Sequence, residues 1–171
     1  MRRMARAITP GLFAETIARI RNSLPDIAIT TDIMAGFPGE TEEEFSQSLE
    51  FIKSMNFADG HVFVYSAREG TLAADLPRQV PHDIRKKRSA IIRDILEKSR
   101  LNYQEKFLNK EMKVLWEKLN QESDGSWKAV GLTGNYLRVT APASSEIRNT
   151  ISTVRILSIN EDGITGEIKQ E

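Results

Sequence analysis

The chain of 171 residues contains no cysteine and only two histidines. The absence of cysteine excludes disulfides, thiol nucleophiles and every metal or iron–sulfur site that is built on thiolates. His61 and His82 are too few and too far apart in the sequence to suggest a metal cage, and neither has a recognisable nucleophile as a partner. We assign both histidines to structure. The sequence predicts no catalytic residue and no metal ligand of its own.

Long apolar runs and an excess of one charge are also missing. No apolar stretch approaches the roughly 20 residues that cross a bilayer, and the basic start leads into an amphipathic helix rather than a signal peptide. We therefore expect a cytoplasmic protein with no membrane partner. The 24 basic and 24 acidic side chains cancel, so no global field attracts DNA. Two local basic runs, within residues 1–22 and at 85–88, could meet phosphate, although solvated helix faces explain them more simply.

Hydrophobic periodicity predicts an α/β arrangement in the first part of the chain. Thr9 before Pro10 is a helix N-cap with proline at the first helical position, and Thr41 with Glu44 forms a capping box. Residues 27–34 are apolar on both alternating faces, as in a parallel strand covered by helices. The predicted elements are helix 10–22, strand 27–34, helix 42–56, strand 61–65 and helix 83–109.

The pattern changes after residue 110 to short segments of branched and aromatic residues separated by glycine turns. These segments lie near 112–117, 126–132, 135–140, 151–159 and 163–168. Five short strands suggest a small barrel. We place a domain boundary at about residue 109, which gives domains 1–109 and 110–171.

The carboxyl ends of the two predicted parallel strands are the candidate site, because ligands of parallel α/β sheets bind at that edge. Glycines in the turn at 36–40 permit a sharp bend and a close approach to a ligand. Tyr65 could lie against a purine, while Arg68 could reach a carboxylate or phosphate. A plain strand-to-helix connection, a core tyrosine and a surface arginine are the alternatives. Asp32, in a strand predicted to be buried, is expected to be paired or hydrogen-bonded, for instance to loop amides.

Two motifs at these strand ends carry a resemblance to a known family. Residues 32–41 read DIMAGFPGET and residues 61–71 read HVFVYSAREGT. Together they resemble the late barrel strands of radical S-adenosylmethionine methylthiotransferases. Residues 114–117 (VLWE) and 131–139 (GLTGNYLRV) are similar to the TRAM domain, the small RNA-binding barrel that ends these enzymes. The expected fold is the late portion of a partial (β/α) radical-SAM barrel followed by a small all-β, OB-like barrel.

The resemblance implies a site for the adenosyl part of S-adenosylmethionine and places Arg68 toward the reaction chamber. The implied cofactor-binding residues are Met34, Gly36, Phe37, Gly39, Glu40, Val64 and Tyr65. The parent enzymes also hold two 4Fe–4S clusters, whose cysteine ligands have no counterpart here. The implied partners are a tRNA anticodon stem-loop and the missing amino-terminal half of such an enzyme, without which we expect this chain to be inactive.

Alternatives remain open for the substrate and for whether the chain functions on its own. The sequence around His61 and Gly131 is most similar to the branch of the family that acts on N6-threonylcarbamoyladenosine at tRNA position 37. The branches that act on isopentenyladenosine tRNA and on a ribosomal protein are the near alternatives. A second hypothesis is a stand-alone RNA-binding module, and a third is an inert folded remnant. In the second, Trp127 or Tyr136 stacks on bases, unless these rings fill the barrel core. The proposed phosphate contacts are Lys128, Arg138 and Arg148.

Overall fold

The computed structural model describes Met4 and residues 6–143, 146–160 and 163–169, and the chain divides into two compact units, Met1–Arg100 and Leu101–Glu171. The first elements are α1 (Pro10–Ser23), β1 (Thr30–Ala35), α2 (Glu42–Met55), β2 (Asp59–Val64) and α3 (His82–Glu105). The remaining strands are β3 (Glu111–Gln121), β4 (Trp127–Thr133), β5 (Arg138–Ala143), β6 (Ile151–Asn160) and β7 (Gly163–Ile168). Within the described residues, no helix is both long and apolar enough to cross a membrane.

The helix caps form as the sequence predicts. Thr9 accepts a hydrogen bond from the Leu12 amide at 3.2 Å, and proline follows at the first helical position. At the start of α2, the Thr41 hydroxyl accepts from the Glu44 amide at 3.1 Å while the Glu44 carboxylate accepts from the Thr41 amide at 3.0 Å. Asn56 ends α2 in the left-handed conformation. Both helix starts are therefore fixed by local sequence.

The first unit is organised around two parallel strands. β1 and β2 pair in register from Thr30 opposite Asp59 to Ala35 opposite Val64. One face of this pair packs on a hydrophobic core that the helices complete. The buried members of that core are Ile17, Ala35, Phe45, Ile52, Phe57, Ile92 and Leu96. Burial of these apolar side chains holds the helices on one side of the sheet.

The other face of the strand pair is open, and here the prediction of a strand covered on both faces is wrong. Met34 is 41% exposed and Phe63, its neighbour across the pair, is 52% exposed. Asp32 and its cross-strand neighbour His61 are exposed on the same face. Asp32 therefore meets water rather than a buried partner. The expectation that this carboxylate must be paired or hydrogen-bonded rested on burial, and it fails because the strand is covered on one face only.

The second unit contains a closed five-stranded barrel, which confirms the predicted small barrel. The strands pair in the order β3–β4–β5–β7–β6 and close between β6 and β3. All contacts are antiparallel except β5 with β7, where Val139 pairs with Ile164. Trp116, Val114 and Val154 are fully buried inside. A closed barrel of this size is consistent with an OB-like or TRAM fold.

Candidate functional site

The two strand ends of the first unit meet at one edge of the sheet. The Tyr65 amide donates to the Ala35 carbonyl at 2.9 Å, so the chain leaves both strands side by side. Phe37, in the turn after β1, packs edge-on against the Tyr65 ring with centroids 5.5 Å apart. Tyr65 is 5% exposed, and its hydroxyl is buried with no hydrogen-bond partner in the described structure. The ring is therefore part of the wall of this site rather than an open stacking platform.

Three backbone amides of the turn at 36–40 donate hydrogen bonds to other groups of the protein. The Gly36 amide donates to the Glu40 carboxylate at 3.0 Å, and the Glu40 amide donates to the Phe37 carbonyl at 3.0 Å. The Gly39 amide donates to the carbonyl of Arg78 at 2.9 Å. Gly36 and Gly39 both have a positive φ, 76° and 77°, which favours glycine. These three amides are therefore engaged within the protein and are not free for a ligand.

Arg85 explains why position 36 must be glycine. A Cβ at Gly36 would overlap the Cγ atom of Arg85, whose stem lies directly on this backbone. The Arg85 guanidinium donates to the carbonyl of Tyr65 and lies 5.9 Å from the centre of that ring. The missing side chain at Gly36 therefore makes room for Arg85, not for a ligand. A single side chain of α3 contacts the ends of both strands.

Arg88, one turn further along α3, is buried and paired. Its guanidinium donates to the Glu40 carboxylate at 2.7 Å and to the Glu42 carboxylate at 2.6 Å, and lies 4.9 Å from the centre of the Phe45 ring. In the basic run at 85–88, which could have met phosphate or solvent, only the two central lysines are exposed. The helical spacing of the flanking arginines turns them inward.

The side chains that remain open at this edge belong to the exposed face of the strand pair. Met34 and Phe63 form an apolar patch, and the His61 ring lies 6.4 Å from the Phe63 ring. Val64, among the predicted cofactor residues, is half-buried. Met34 is among the predicted cofactor-binding residues, whereas Phe63 is not. The available signal was the alternation along β2, which places Phe63 opposite Met34 on the same face.

Arg68 lies in the connection between β2 and α3 and is exposed. Thr71 closes a turn on it, since its hydroxyl donates to the Arg68 carbonyl at 2.7 Å. The Gln79 side chain orders the next turn by donating to three carbonyls, including that of Leu76 at 2.9 Å. The backbone that presents Arg68 is therefore held by local hydrogen bonds while its guanidinium is open to solvent.

The barrel carries a separate groove on its surface. Trp127 is 37% exposed and Leu157 is 50% exposed in its wall, and Lys128 and Pro142 line it beside them. Lys128 pairs with Pro142 across β4 and β5. Trp127 is therefore not a core residue. A partly exposed indole can stack on a flat ring, and the ammonium group next to it can attract a negative charge near that ring.

Tyr136 and Arg138 lie at the opposite end of the β4–β5 hairpin from this groove. Arg138 pairs with Leu132, whereas Trp127 pairs with Ala143 at the other end. Tyr136 is 79% exposed with a φ of 63°, so it too is outside the barrel core. Arg148, the further basic candidate, is ion-paired with Glu146 at 3.3 Å. The five RNA-binding candidates of the barrel thus do not form one cluster.

Metal-binding geometry is missing from the part of the chain that the structure describes. No three histidine, aspartate or glutamate side chains there come close enough to hold a metal ion, and the sequence has no cysteine. The strand-end edge presents exposed apolar side chains, and the barrel groove presents an indole and an ammonium group.

Comparison with known proteins identifies the family. The chain is 33% identical over 157 residues, 92% of its length, to threonylcarbamoyladenosine tRNA methylthiotransferase MtaB of Bacillus subtilis. It is 32% identical over 168 residues, 98% of its length, to tRNA-2-methylthio-N(6)-dimethylallyladenosine synthase of Desulfitobacterium hafniense. The chain belongs to the tRNA methylthiotransferase family. A further relative, tRNA-2-methylthio-N(6)-dimethylallyladenosine synthase of Tropheryma whipplei, is 42% identical over 115 residues, 67% of the chain.

The matches cover only part of these methylthiotransferases. They extend over 35% of the Bacillus subtilis protein, 37% of the Desulfitobacterium hafniense protein and 24% of the Tropheryma whipplei protein. The chain thus spans about a third or less of the relatives that it matches. No protein-family model matches the chain.

Proposed function

We propose that the chain is the carboxyl-terminal part of a radical S-adenosylmethionine methylthiotransferase that acts on tRNA in the cytoplasm. The reaction adds a methylthio group to C2 of N6-threonylcarbamoyladenosine at position 37. The match to MtaB over 92% of the chain carries this proposal. In it, residues 1–109 are the late part of the radical-SAM barrel and residues 110–171 are the TRAM domain. Because tRNA-2-methylthio-N(6)-dimethylallyladenosine synthases match over a similar length, N6-dimethylallyladenosine in tRNA is the competing substrate, and a ribosomal protein is a more distant one.

The residues at the strand ends fit an adenosyl group. Met34 and Phe63 offer an exposed apolar patch for a purine, and Phe37 lies in the turn beside it. Val64 pairs with the buried Ala35, so the alternation along β2 places it on the other face of the strand pair. The Gly36–Glu40 turn gives the edge a fixed backbone shape. Bound S-adenosylmethionine would supply the radical chemistry, whereas the residues of this chain bind and orient the adenosyl group. Arg68, exposed on its ordered turn, would face the RNA or the modified base.

The iron–sulfur clusters do not fit this chain. A 4Fe–4S cluster is held by cysteine thiolates, and the sequence contains none. In the proposed enzyme, both clusters are therefore held by the other part of the protein, and this chain contributes no step that passes through them. It follows that the chain alone should neither cleave S-adenosylmethionine reductively nor insert sulfur.

A reaction with the purified chain tests this dependence. The chain is incubated with S-adenosylmethionine, sulfide, a low-potential reductant and an anticodon stem-loop that contains threonylcarbamoyladenosine. We expect no methylthiolated nucleoside by mass spectrometry, because the cluster ligands are missing. The full-length Bacillus subtilis relative, assayed in parallel, serves as the positive control. Product formation by the chain alone, above a reaction without protein, would contradict the proposal.

The barrel groove favours a second function, RNA binding by the chain on its own. Trp127 can stack on a base while Lys128 contacts a phosphate, since both line the groove. The net charge of the chain is zero, so binding would depend on this local arrangement rather than on a global field. Tyr136 and Arg138, at the other end of the hairpin, would contact a different part of the RNA.

Fluorescence anisotropy of a labelled anticodon stem-loop measures this binding at two salt concentrations. Trp127→Ala is expected to weaken binding by roughly 5- to 150-fold, because one stacked base contributes about 1–3 kcal/mol. Lys128→Gln is expected to lower the salt slope by about one. Lys113→Gln, an exposed lysine of β3 outside the groove, is the matched control and should leave both unchanged. Equal effects of the two lysine variants would count against the groove.

A further inference from the structure

Arg88 of α3 is buried beside the end of β1 instead of facing solvent. Arg88 is 4% exposed, although it lies in a run of four basic residues. Burial of an arginine is unfavourable unless its charge is paired. The Arg88 guanidinium has such partners in Glu40, whose side chain is 14% exposed, and in Glu42, whose side chain is 80% exposed. Glu40 is therefore the partner in the interior, and Glu42 lies at the solvent edge.

The Arg88 guanidinium stays charged in this setting. Desolvation by burial would lower its pKa, but hydrogen bonds to Glu42 and Glu40 raise the pKa of Arg88 above its ordinary value. The group therefore remains protonated throughout the pH range in which the protein is folded. A permanent charge makes its hydrogen bonds to Glu40 stronger than those between neutral groups.

A chain of hydrogen bonds connects Arg88 to the end of β1. One oxygen of Glu40, Oε2, accepts both from Arg88 at 2.7 Å and from the Gly36 amide at 3.0 Å. The same Arg88 nitrogen also donates to the Glu40 backbone carbonyl at 3.0 Å. Both the backbone and the side chain of Glu40 are therefore tied to α3. The Gly36 peptide is tied to α3 in turn through the Glu40 carboxylate.

We propose that Arg88 is a positioning residue for the adenosyl site: it holds Glu40, and Glu40 fixes the Gly36 peptide where β1 ends. Arg88 touches no ligand in this role, and the Glu40 carboxylate acts through the backbone instead of contacting the cofactor. The inference deepens the proposed function and rests on it in one respect, namely that this strand end receives the adenosyl group.

Amide hydrogen exchange measured by NMR on the intact chain tests the positioning role directly. In Arg88→Gln, exchange of the Gly36 amide is expected to accelerate by about tenfold or more, because its charged acceptor is no longer held in place. The Ala58 amide, which donates to the Ile29 carbonyl at 2.8 Å near the start of the strands, is the internal reference. Arg88→Lys, which keeps a buried positive charge near Glu40, should accelerate exchange of the Gly36 amide less than Arg88→Gln does. If Arg88→Gln folds poorly, the same comparison is made with Arg88→Lys.

The matched control is Lys87→Gln, which removes the same charge from the neighbouring exposed position. It should leave the ratio of Gly36 to Ala58 exchange unchanged. A general loss of stability would accelerate both amides together. Parallel acceleration in the arginine variants, or an unchanged Gly36 amide, would therefore overturn the positioning role.

Calorimetric titration with S-adenosylhomocysteine separates this inference from the proposed function. If the chain binds the probe, Arg88→Gln should weaken binding at least fivefold and Lys87→Gln should not. Equal affinity of the two variants would overturn the link between positioning and ligand binding. If the unaltered chain does not bind while its Gly36 amide still depends on Arg88, the positioning role stands and the adenosyl site of the proposed function is contradicted.

Discussion

Gly131→Ala is expected to lower the free energy of unfolding of the barrel by about 3 kcal/mol, the upper end of the usual cost of overpacking a core. Gly131 lies in β4 directly opposite Trp116 of β3. A methyl group there would overlap the carbonyl oxygen of Leu115 and lie 2.7 Å from the Cγ1 atom of Val114. The first of these atoms belongs to the backbone of a paired strand, so it cannot rotate away. The register between β3 and β4 must shift or the strands must separate.

Gly134→Ala is the matched control. Gly134 lies three positions further along, in the turn after β4, and a Cβ there would meet no atom within 4 Å. The same chemical change is therefore expected to alter stability by less than about 0.5 kcal/mol, as for surface substitutions in general.

Thermal unfolding followed by tryptophan fluorescence compares the two variants. Both tryptophans lie in the second unit, and Trp116 is fully buried. A loss of about 3 kcal/mol should lower the midpoint by more than about 10 °C in a unit of this size. Equal midpoints for the two variants would show that the barrel does not require glycine at position 131.

Local signals in the sequence were sufficient for the secondary structure and for the barrel. The capping box of Thr41 with Glu44 acts within one helical turn, so two residues determine where α2 begins. Short alternating segments separated by glycine turns similarly predicted strands that close into a barrel. The element boundaries shifted by a few residues because the exact end of a strand depends on its pairing, as at β2, which begins at Asp59 rather than His61.

The open face of β1 and β2 could not be predicted from the sequence. The sequence shows how apolar a strand is, but it does not show which elements pack on each of its faces. Met34 and Phe63 have the hydrophobicity of core residues, yet no described element covers them. Apolar side chains on an exposed sheet face are typical of a surface that meets another part of a protein or a ligand. The proposed function assigns this face to the interior of a larger barrel.

The roles of Arg85 and Arg88 depend on contacts between residues far apart in the sequence. The position of Arg88 on the apolar stripe of α3 was visible in the sequence, and a charged residue on such a stripe needs a partner. Its partner Glu40 lies 48 positions away, and sequence alone cannot select it among 24 acidic residues. The contact between Arg85 and Gly36 also joins residues far apart in the sequence. It could not be predicted, so the glycine was interpreted as space for a ligand.

Loss of the gene that contains this sequence is expected to abolish 2-methylthio-N6-threonylcarbamoyladenosine in cellular tRNA. The expected effect is complete, because a methylthiotransferase is the source of the methylthio group in the proposed pathway, and the precursor nucleoside should accumulate in its place. The intact gene should restore the modification. The 171 residues of this chain alone should not restore it, since they carry no cluster cysteines.

Mass spectrometry of tRNA nucleosides from the parent and deletion strains tests directly whether this chain is part of a tRNA methylthiotransferase. We expect the ratio of 2-methylthio-N6-threonylcarbamoyladenosine to its unmodified precursor to fall to background in the deletion strain. Loss of the methylthio group from the dimethylallyl nucleoside instead would assign the chain to the other tRNA branch. Unchanged levels of both methylthio nucleosides would contradict the claim.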